Sequence, residues 1–573
     1  MSPRSGTPPP ETRLLKKLWS AMPLSGSDLS GWVCAFQSIN FASRHCALLI
    51  FTVLSLQILL FLSTRSIPSA LFIFRRPAVT VAIAVAPAPA TAAPCDYGLL
   101  YVYDIPPKFN KELITDCSGL NPWVSRCDAL SNGGFGAPAA DLAGIVPDSL
   151  MSSWFSTDQF IAELIFHRRM LAHGCRTRNP SAASAFYIPF YAGLAVGKHL
   201  WSSTSTSDER DRTCNDLLRW IASQSPWRKS GGWDHFITLG RITWDFRRSL
   251  DRDWGGSFLH MPGMANVTRL LIERNPWDDR DVGIPYPIGF HPQSAAEVRA
   301  WQAFVMNRTR STLISFAGAA RASIKNDFRG LLLSECAGAG GACRAVDCSG
   351  GRCGNRSAET LSLFLDSVFC LQPRGDSFTR RSMFDCMVAG AIPVIFWRRS
   401  AYEQYTWYLP GEEEEAGEWS VFIDRREVRS GAVSVRGVLD GIGEERIRRM
   451  RERVVDLIPK LVYARADEGL DEGMEDAFDV AVQGVLRRFQ GDGHRRLSHK
   501  GNEIAIGAEK RTSRELELNK NIDVGASVDA SIDHNYIEDA DLKDFEDEDV
   551  SNMEFENSAE RVVDSDVTIF TMK

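Results

Sequence analysis

The chain has 573 residues, enough for roughly two to four domains of ordinary size. Its composition, 44% hydrophobic and 24% charged, is ordinary for a globular protein. The formal net charge of −7 gives no reason to expect nucleic-acid binding, and acidic residues are concentrated near the C-terminal end.

The first feature along the chain is an uncharged, apolar segment between Arg44 and Arg65, which reads HCALLIFTVLSLQILLFLST. About twenty residues in a helix span the ~30 Å hydrocarbon core of a bilayer. A buried core helix and a cleaved signal peptide are the alternatives, but the segment is long and much sequence precedes it. We therefore predict a transmembrane signal anchor over residues 45–64, after a cytosolic tail formed by residues 1–44.

Cysteines and glycosylation sequons follow the anchor. Of thirteen cysteines, all but Cys34 and Cys46 lie between Cys95 and Cys386, which leaves an odd number, eleven. Their irregular gaps favour disulfides over a zinc site, with at least one thiol free or paired between chains. Three N-x-S/T sequons stand at Asn266, Asn307 and Asn355. The charges around the anchor do not fix its orientation, but cysteines and sequons together predict a lumenal, type II arrangement.

A Pro/Ala-rich stretch, residues 65–94, is typical of a stem that holds a catalytic region off a membrane. Residues 95–309 then form a predicted first domain. Its clearest elements are a strand at Leu99–Tyr103, a helix at Trp154–His173 with capping-box spacing between Ser156 and Gln159, and a strand at His235–Leu239.

Residues 310–490 form a predicted second domain in which strands and helices alternate. A strand follows Arg310, and the next elements are a helix at Asn355–Ser367, a strand at Val368–Gln372, a helix at Phe378–Ala389 and a strand at Ile392–Trp397. Alternation of this kind is typical of a parallel α/β sheet. Two such units predict two Rossmann-like domains facing a cleft, followed by an acidic, disordered tail over residues 491–573.

The strongest chemical signal is the segment FCLQPRGDSFTRRSMFDCMVAGAIPVIFW, Phe369–Trp397. It predicts a strand, a glycine-containing turn and a helix N-terminus, where unpaired N–H groups attract phosphate. Arg374 can fork onto phosphate oxygens, and Ser377 and Thr379 add hydroxyl donors. Asp385 is placed to accept from ribose hydroxyls. The structural alternatives are a simple helix cap and an i,i+4 ion pair between Arg381 and Asp385.

This segment resembles the signature of the exostosin-like glycosyltransferases, family 47. Other segments resemble its plant xyloglucan galactosyltransferase branch, among them YVYDIPPKFN, WDHFITLGRITWDFRR, NVTRLLIERNPWD and VGIPYPIGFHP. The resemblance covers about Cys95 to Tyr463. It implies a GT-B architecture and one inverting transfer of galactose from UDP-galactose to a xylosyl side chain of xyloglucan. It also implies a diphosphate loop and a ribose contact, at Arg374, Gly375, Asp376, Ser377, Thr379 and Asp385.

The resemblance further implies that the chemistry needs no metal or cofactor. Its implied partners are the donor and acceptor, the Golgi membrane and other Golgi glycosyltransferases. Transfer of a different sugar within the family (arabinosyl, galacturonosyl or xylosyl) and a non-catalytic Golgi scaffold remain the alternatives.

Inversion also needs a general base, which we expect from the first domain, across the cleft. The candidates are Asp234, His235 and Asp245. Each has a structural alternative: a turn residue, a core histidine, and an ion pair with Arg241 or Arg247. Arg241 is a further candidate for binding the diphosphate from the opposite wall.

Overall fold

The computed structural model describes residues 95–491, with gaps at residues 121–124, 201, 203, 249–254, 322–326, 350–352, 354–356 and 376. The predicted cytosolic tail, anchor and stem lie outside this range, as does the acidic tail from residue 492 onward. None of the helices in the described part of the chain is long and apolar enough to cross a bilayer.

Six parallel strands form the first sheet, in the order β2-β1-β3-β4-β5-β6. Their side chains are almost all buried, as expected for a parallel sheet covered on both faces. The strands are β1 Leu100–Val102, β2 Arg176–Thr177, β3 Ala185–Ile188, β4 His235–Ile242, β5 Thr268–Glu273 and β6 Asp281–Gly283. The strands predicted at Leu99–Tyr103 and His235–Leu239 correspond to β1 and β4.

Five parallel strands form the second sheet, in the order β11-β10-β9-β7-β8. They are β7 Thr312–Gly318, β8 Cys343–Asp347, β9 Ser367–Gln372, β10 Ile392–Ile395 and β11 Val421–Phe422. In both sheets the first strand lies between the second and the third, so each sheet reverses its strand order beside its first strand. Ligands of open parallel sheets bind at such points, outside the carboxyl ends of the strands. The prediction of two parallel α/β domains is confirmed.

Helices connect the strands and cover the sheets. They are α1 Lys111–Thr115, α2 Cys127–Leu130, α3 Ala162–Ala172, α4 Ala192–Leu200, α5 Ser207–Ala222, α6 Ser225–Ser230, α7 Ala295–Asn307, α8 Phe328–Gly338, α9 Ser357–Leu365, α10 Arg381–Val388, α11 Glu413–Ala416, α12 Arg425–Arg429, α13 Val435–Asp440, α14 Glu444–Leu457 and α15, residues 477–491.

The capping box predicted at Ser156 and Gln159 is wrong, because the first helix of that region begins later, at Ala162. The segment before it pairs with a distant part of the chain. The Phe155 amide donates to the Gly289 carbonyl at 2.9 Å, and Trp154 bridges to Phe290.

Two helices pack on the domain opposite to their place in the chain. Trp301 of α7 donates its indole N–H to the Val388 carbonyl at 2.8 Å, so α7 packs on the second domain. Phe478 of α15 packs against Phe166, with ring centroids 5.2 Å apart, so α15 returns to the first domain. Relative to the predicted boundary between residues 309 and 310, α7 therefore packs with the second domain and α15 with the first.

Five disulfides join ten of the cysteines in the described part of the chain, and Cys214 is a buried free thiol. This confirms the predicted disulfide framework. The pairs are Cys95–Cys175, Cys117–Cys127, Cys336–Cys343, Cys348–Cys353 and Cys370–Cys386. Of the sequons, Asn307 is exposed at the end of α7, and Asn266 is half-buried with its amide bonded to the Gly231 carbonyl. Asn355 lies outside the described residues.

Candidate active site

The segment from β9 to α10 has the predicted strand–turn–helix form, and its turn lies where the second sheet reverses its strand order. A Cβ atom at Gly375 would stand 2.9 Å from the Thr379 carbonyl oxygen, so the turn requires glycine. Arg329 donates to the Arg374 carbonyl at 3.1 Å, and Arg380 donates to the Ala317 carbonyl at 2.8 Å. These bonds fix the turn against α8 and the end of β7. Asp376 lies outside the described residues.

A carboxylate from the first domain binds the turn that leads into α10. Glu273, the last residue of β5, is only 3% exposed. Its Oε2 accepts from the Thr379 amide at 2.8 Å and from the Thr379 hydroxyl at 2.6 Å, and the Ser377 hydroxyl donates to Oε1. Burial raises the pKa of Glu273, and these hydrogen bonds oppose the rise. The predicted phosphate donors Ser377 and Thr379 therefore already donate to an anion of the protein.

Sequence reasoning missed Glu273 because it comes from the other domain. The available signal was its position: it is a charged residue that directly follows the apolar run of a predicted strand, in the segment NVTRLLIERNPWD.

Two arginines flank the ring of Phe378 beside this loop. The Arg374 guanidinium carbon lies 5.3 Å from the ring centroid, and that of Arg399 lies 4.0 Å from it. The charge of Arg399 also acts to lower the pKa of Glu273, so both groups share one electrostatic environment. Arg399 was not among the predicted residues, although it follows the strand that forms β10. The loop thus combines a helix N-terminus with two cations, which suits a diphosphate.

Asp385 forms the i,i+4 ion pair that was the structural alternative. Its Oδ2 lies 3.2 Å from Arg381 Nε, and both side chains are partly exposed. Burial raises the pKa of Asp385, and Arg381 opposes the rise. Arg381 also donates to the Thr157 carbonyl of the first domain at 2.5 Å. The ribose contact of Asp385 stays a prediction.

Arg241 and Asp245 lie at the carboxyl end of β4 and form a buried ion pair, with Nε and Oδ2 2.6 Å apart. Burial raises the pKa of Asp245, and the charge of Arg241 opposes the rise. Tyr286 connects this pair to the loop. Its hydroxyl bonds the Thr379 hydroxyl at 2.9 Å, and its pKa, raised mainly by burial, responds to the charges of Glu273, Asp245 and Arg241. Asp245 and Arg241 thus lie at the carboxyl end of β4 and share an electrostatic environment with Tyr286, which bonds the loop.

Asp234 and His235 are not at this site, which corrects their prediction as bases on the cleft. They lie at the amino end of β4, an eight-residue strand, so they stand on the order of 20 Å from its carboxyl end. His235 is fully buried and stacks on Phe186 at 4.9 Å. Its ring nitrogens bond the Tyr103 hydroxyl at 2.8 Å and Asp234 at 2.6 Å. His235 is therefore a core histidine with its hydrogen bonds satisfied.

An open groove of about 1490 Å³ adjoins the site on the side of β10 and β11. Arg274 and Arg399 line it, and Arg399 lies over the ring of Trp277 at 4.2 Å. Trp277 and Phe422 are 47% and 40% exposed there. Exposed aromatic faces beside charged groups suit a ligand with both apolar C–H surfaces and hydroxyls, as sugars have.

Within the described residues, no group of three or more His, Cys, Asp or Glu side chains is arranged to hold a metal ion. The metal requirement therefore stays a prediction.

Comparison with known proteins gives one family match and several close relatives. Residues 95–439 match the family model described as the Exostosin GT47 domain. Xyloglucan galactosyltransferase XLT2 of Arabidopsis thaliana is 56% identical over 467 residues, which cover 78% of this chain and 89% of that protein.

Two further Arabidopsis thaliana proteins are less similar. Xyloglucan-specific galacturonosyltransferase 1 is 40% identical over 69% of this chain and 58% of its own length. Xyloglucan galactosyltransferase MUR3 is 39% identical over 69% of this chain and 62% of its own length. The matched region thus spans less than two thirds of each of these two relatives.

Proposed function

The chain belongs to the exostosin GT47 family of glycosyltransferases, and from this we propose that it transfers galactose from UDP-galactose to a xylosyl side chain of xyloglucan. The observation that carries the proposal is the 56% identity to a protein named as a xyloglucan galactosyltransferase, over 89% of that protein. The same reaction is what the sequence resemblance implied.

The two parallel α/β domains would form a GT-B cleft, with the donor held mainly by the second domain. The loop between β9 and α10 offers the diphosphate a helix N-terminus together with Arg374 and Arg399. Negative charge grows on the UDP leaving group in the transition state. A preorganised positive loop therefore accelerates the reaction as well as binding the donor.

The transfer would be a single displacement with inversion. The acceptor oxygen bonds to the anomeric carbon of galactose as the bond from that carbon to the diphosphate oxygen breaks, and UDP leaves. Of the predicted bases, Asp245 lies beyond the carboxyl end of β4, the edge at which ligands of parallel sheets bind, and burial raises its pKa. Asp245 would take the proton of the acceptor hydroxyl, with Arg241 holding it in place.

Galacturonosyl transfer is the second candidate, favoured by the relative at 40% identity. A donor and acceptor assay distinguishes the two. Membranes containing the full-length chain are given a xylosylated glucan oligosaccharide with either UDP-galactose or UDP-galacturonic acid, and the product mass is read. A hexose adduct supports galactosyl transfer, whereas a hexuronic acid adduct replaces it with the second candidate. If neither product forms and UDP does not bind, a non-catalytic scaffold becomes the better interpretation.

We further propose a Golgi membrane location with the catalytic region in the lumen. Five disulfides and an exposed sequon at Asn307 support an oxidising, glycosylating compartment. Protection of the folded domains from protease in sealed membranes would support this orientation, and digestion without detergent would contradict it.

We propose that the chemistry needs no metal. Activity that survives EDTA supports this, and activity lost with EDTA and restored by a divalent cation contradicts it.

A further inference from the structure

The donor loop already contains an anion, and that anion belongs to the protein. The Glu273 carboxylate accepts from the Thr379 amide, the Thr379 hydroxyl and the Ser377 hydroxyl, all in the turn just before α10. These are the donors that a phosphate group at this helix terminus would use. Glu273 comes from β5 of the first domain, 106 residues before Thr379 in the chain.

We propose that Glu273 is a displaceable occupant of the diphosphate site: its carboxylate stands where a phosphate group of the donor binds, and donor binding exchanges one anion for the other. This inference rests on the proposed function, because it requires a nucleoside diphosphate donor in this loop.

The number of protons that Ser377 and Thr379 can donate requires the carboxylate to leave when a phosphate binds. Each hydroxyl carries one proton, and the backbone amide carries one. While Glu273 holds these protons, Ser377 and Thr379 have none left to donate to a phosphate. Two anions competing for the same donors would also repel strongly in a buried site, where the charges are poorly screened. The carboxylate and the phosphate therefore cannot both be bound by these groups.

The surroundings allow Glu273 to leave without separating the domains. Tyr286 of the first domain keeps its own bond to Thr379, and Arg381 keeps its bond to the Thr157 carbonyl. The residue after Glu273, Arg274, is held by Gln404, whose side-chain oxygen accepts from the Arg274 amide at 2.8 Å. Arg399, whose guanidinium lies over the Phe378 ring beside the loop at 4.0 Å, adds a favourable charge near the carboxylate. Donor binding would thus change one contact between the domains and preserve the others.

The test is the affinity of the full-length, detergent-extracted chain for UDP, measured by titration calorimetry for wild type, Glu273→Gln and Glu273→Ala. Removing the charge removes the competitor, so both variants should bind UDP about tenfold more tightly than wild type, a change of about 1.4 kcal/mol. The KM for UDP-galactose should fall in the same direction. A merely structural tie between the domains would instead weaken UDP binding when it is lost.

The matched control is Glu163→Gln. Glu163 is another buried carboxylate at a helix amino terminus, where it accepts from the Gly193 amide at 2.6 Å, but it lies within the first domain. Its Kd for UDP should stay within about twofold of wild type. Wild-type binding with no gain in either Glu273 variant would overturn the exchange and leave the proposed function standing. Absence of UDP binding in every folded protein, wild type included, would overturn both.

Discussion

Each domain carries a buried carboxylate at, or just before, the amino terminus of the helix that follows the third strand of its sheet. In the first domain, Oε1 of Glu163 accepts from the amide of Gly193 in the first turn of α4 at 2.6 Å. The same oxygen accepts from the amide of Gly240 in β4 at 3.0 Å. In the second domain Glu273 meets α10. Both carboxylates lie where a nearby helix amino terminus favours negative charge, Glu163 on a first-turn amide of α4 and Glu273 on the turn that leads into α10.

The two carboxylates differ in where they come from. Glu163 belongs to α3 of its own domain, and its Oε1 joins α4 to β4 through the amides of Gly193 and Gly240, so it is a bond within one core. Glu273 reaches across from the opposite domain to the loop in which Arg374 and Arg399 lie over the ring of Phe378. We conclude that the first helix terminus is filled as part of the core, whereas the second is filled by a group that a donor can replace.

The largest expected effect is on kcat, and it tests whether the first domain supplies the general base. Asp245→Asn should lower kcat by about 10²- to 10⁴-fold, the usual contribution of a general base, with little change in KM for UDP-galactose. Initial rates of galactosyl transfer measure this. Asp234→Asn is the control, because it lies at the other end of β4 and should change kcat less than about twofold. Equal losses in both variants would remove Asp245 as the base.

The next effect tests whether the second loop is where the phosphate binds. Arg374→Ala removes a cation from the predicted diphosphate site and should lower kcat/KM by about 10²- to 10³-fold, the range found when one electrostatic contact to a transition state is lost. The melting temperature should stay close to that of wild type. Arg219→Ala, on an exposed arginine of α5, is the matched control. Wild-type activity in Arg374→Ala would place the donor elsewhere.

The sequence predicted the parts of this comparison that depend on local pattern. Alternating strands and helices gave the two parallel sheets, and the turn at Gly375 was expected because glycine followed a strand and preceded a helix. The wrong placement of His235 was avoidable, since a residue that starts a parallel strand lies on the edge opposite the ligands. The contact of Glu273 with Ser377 was beyond sequence reasoning, because it joins residues 104 apart across two domains. The exchange of α7 and α15 between domains was hidden for the same reason.

The smallest expected effect is on the free energy of unfolding rather than on activity, and it concerns the carboxylate of the first domain, Glu163. Burial raises the pKa of Glu163 from its ordinary 4.5 to about 7, and the backbone amides of Gly240 and Gly193 and the charge of Arg241 only partly oppose the rise. Between these two pH values the folded chain keeps a proton that the unfolded chain has lost. The free energy of unfolding should therefore fall as pH rises through this window, by at most about 3 kcal/mol from this residue.

Glu163→Gln removes that titration while keeping one acceptor for the two amides. Its free energy of unfolding, measured by urea titration from pH 5 to pH 7, should fall less with rising pH than that of wild type. Glu112→Gln, at an exposed position of α1, should keep the wild-type slope. If Glu163→Gln kept the wild-type slope as well, Glu163 would be ionised throughout this range. The first helix terminus would then hold a fixed anion, and the two carboxylates would differ only in the domain that supplies them.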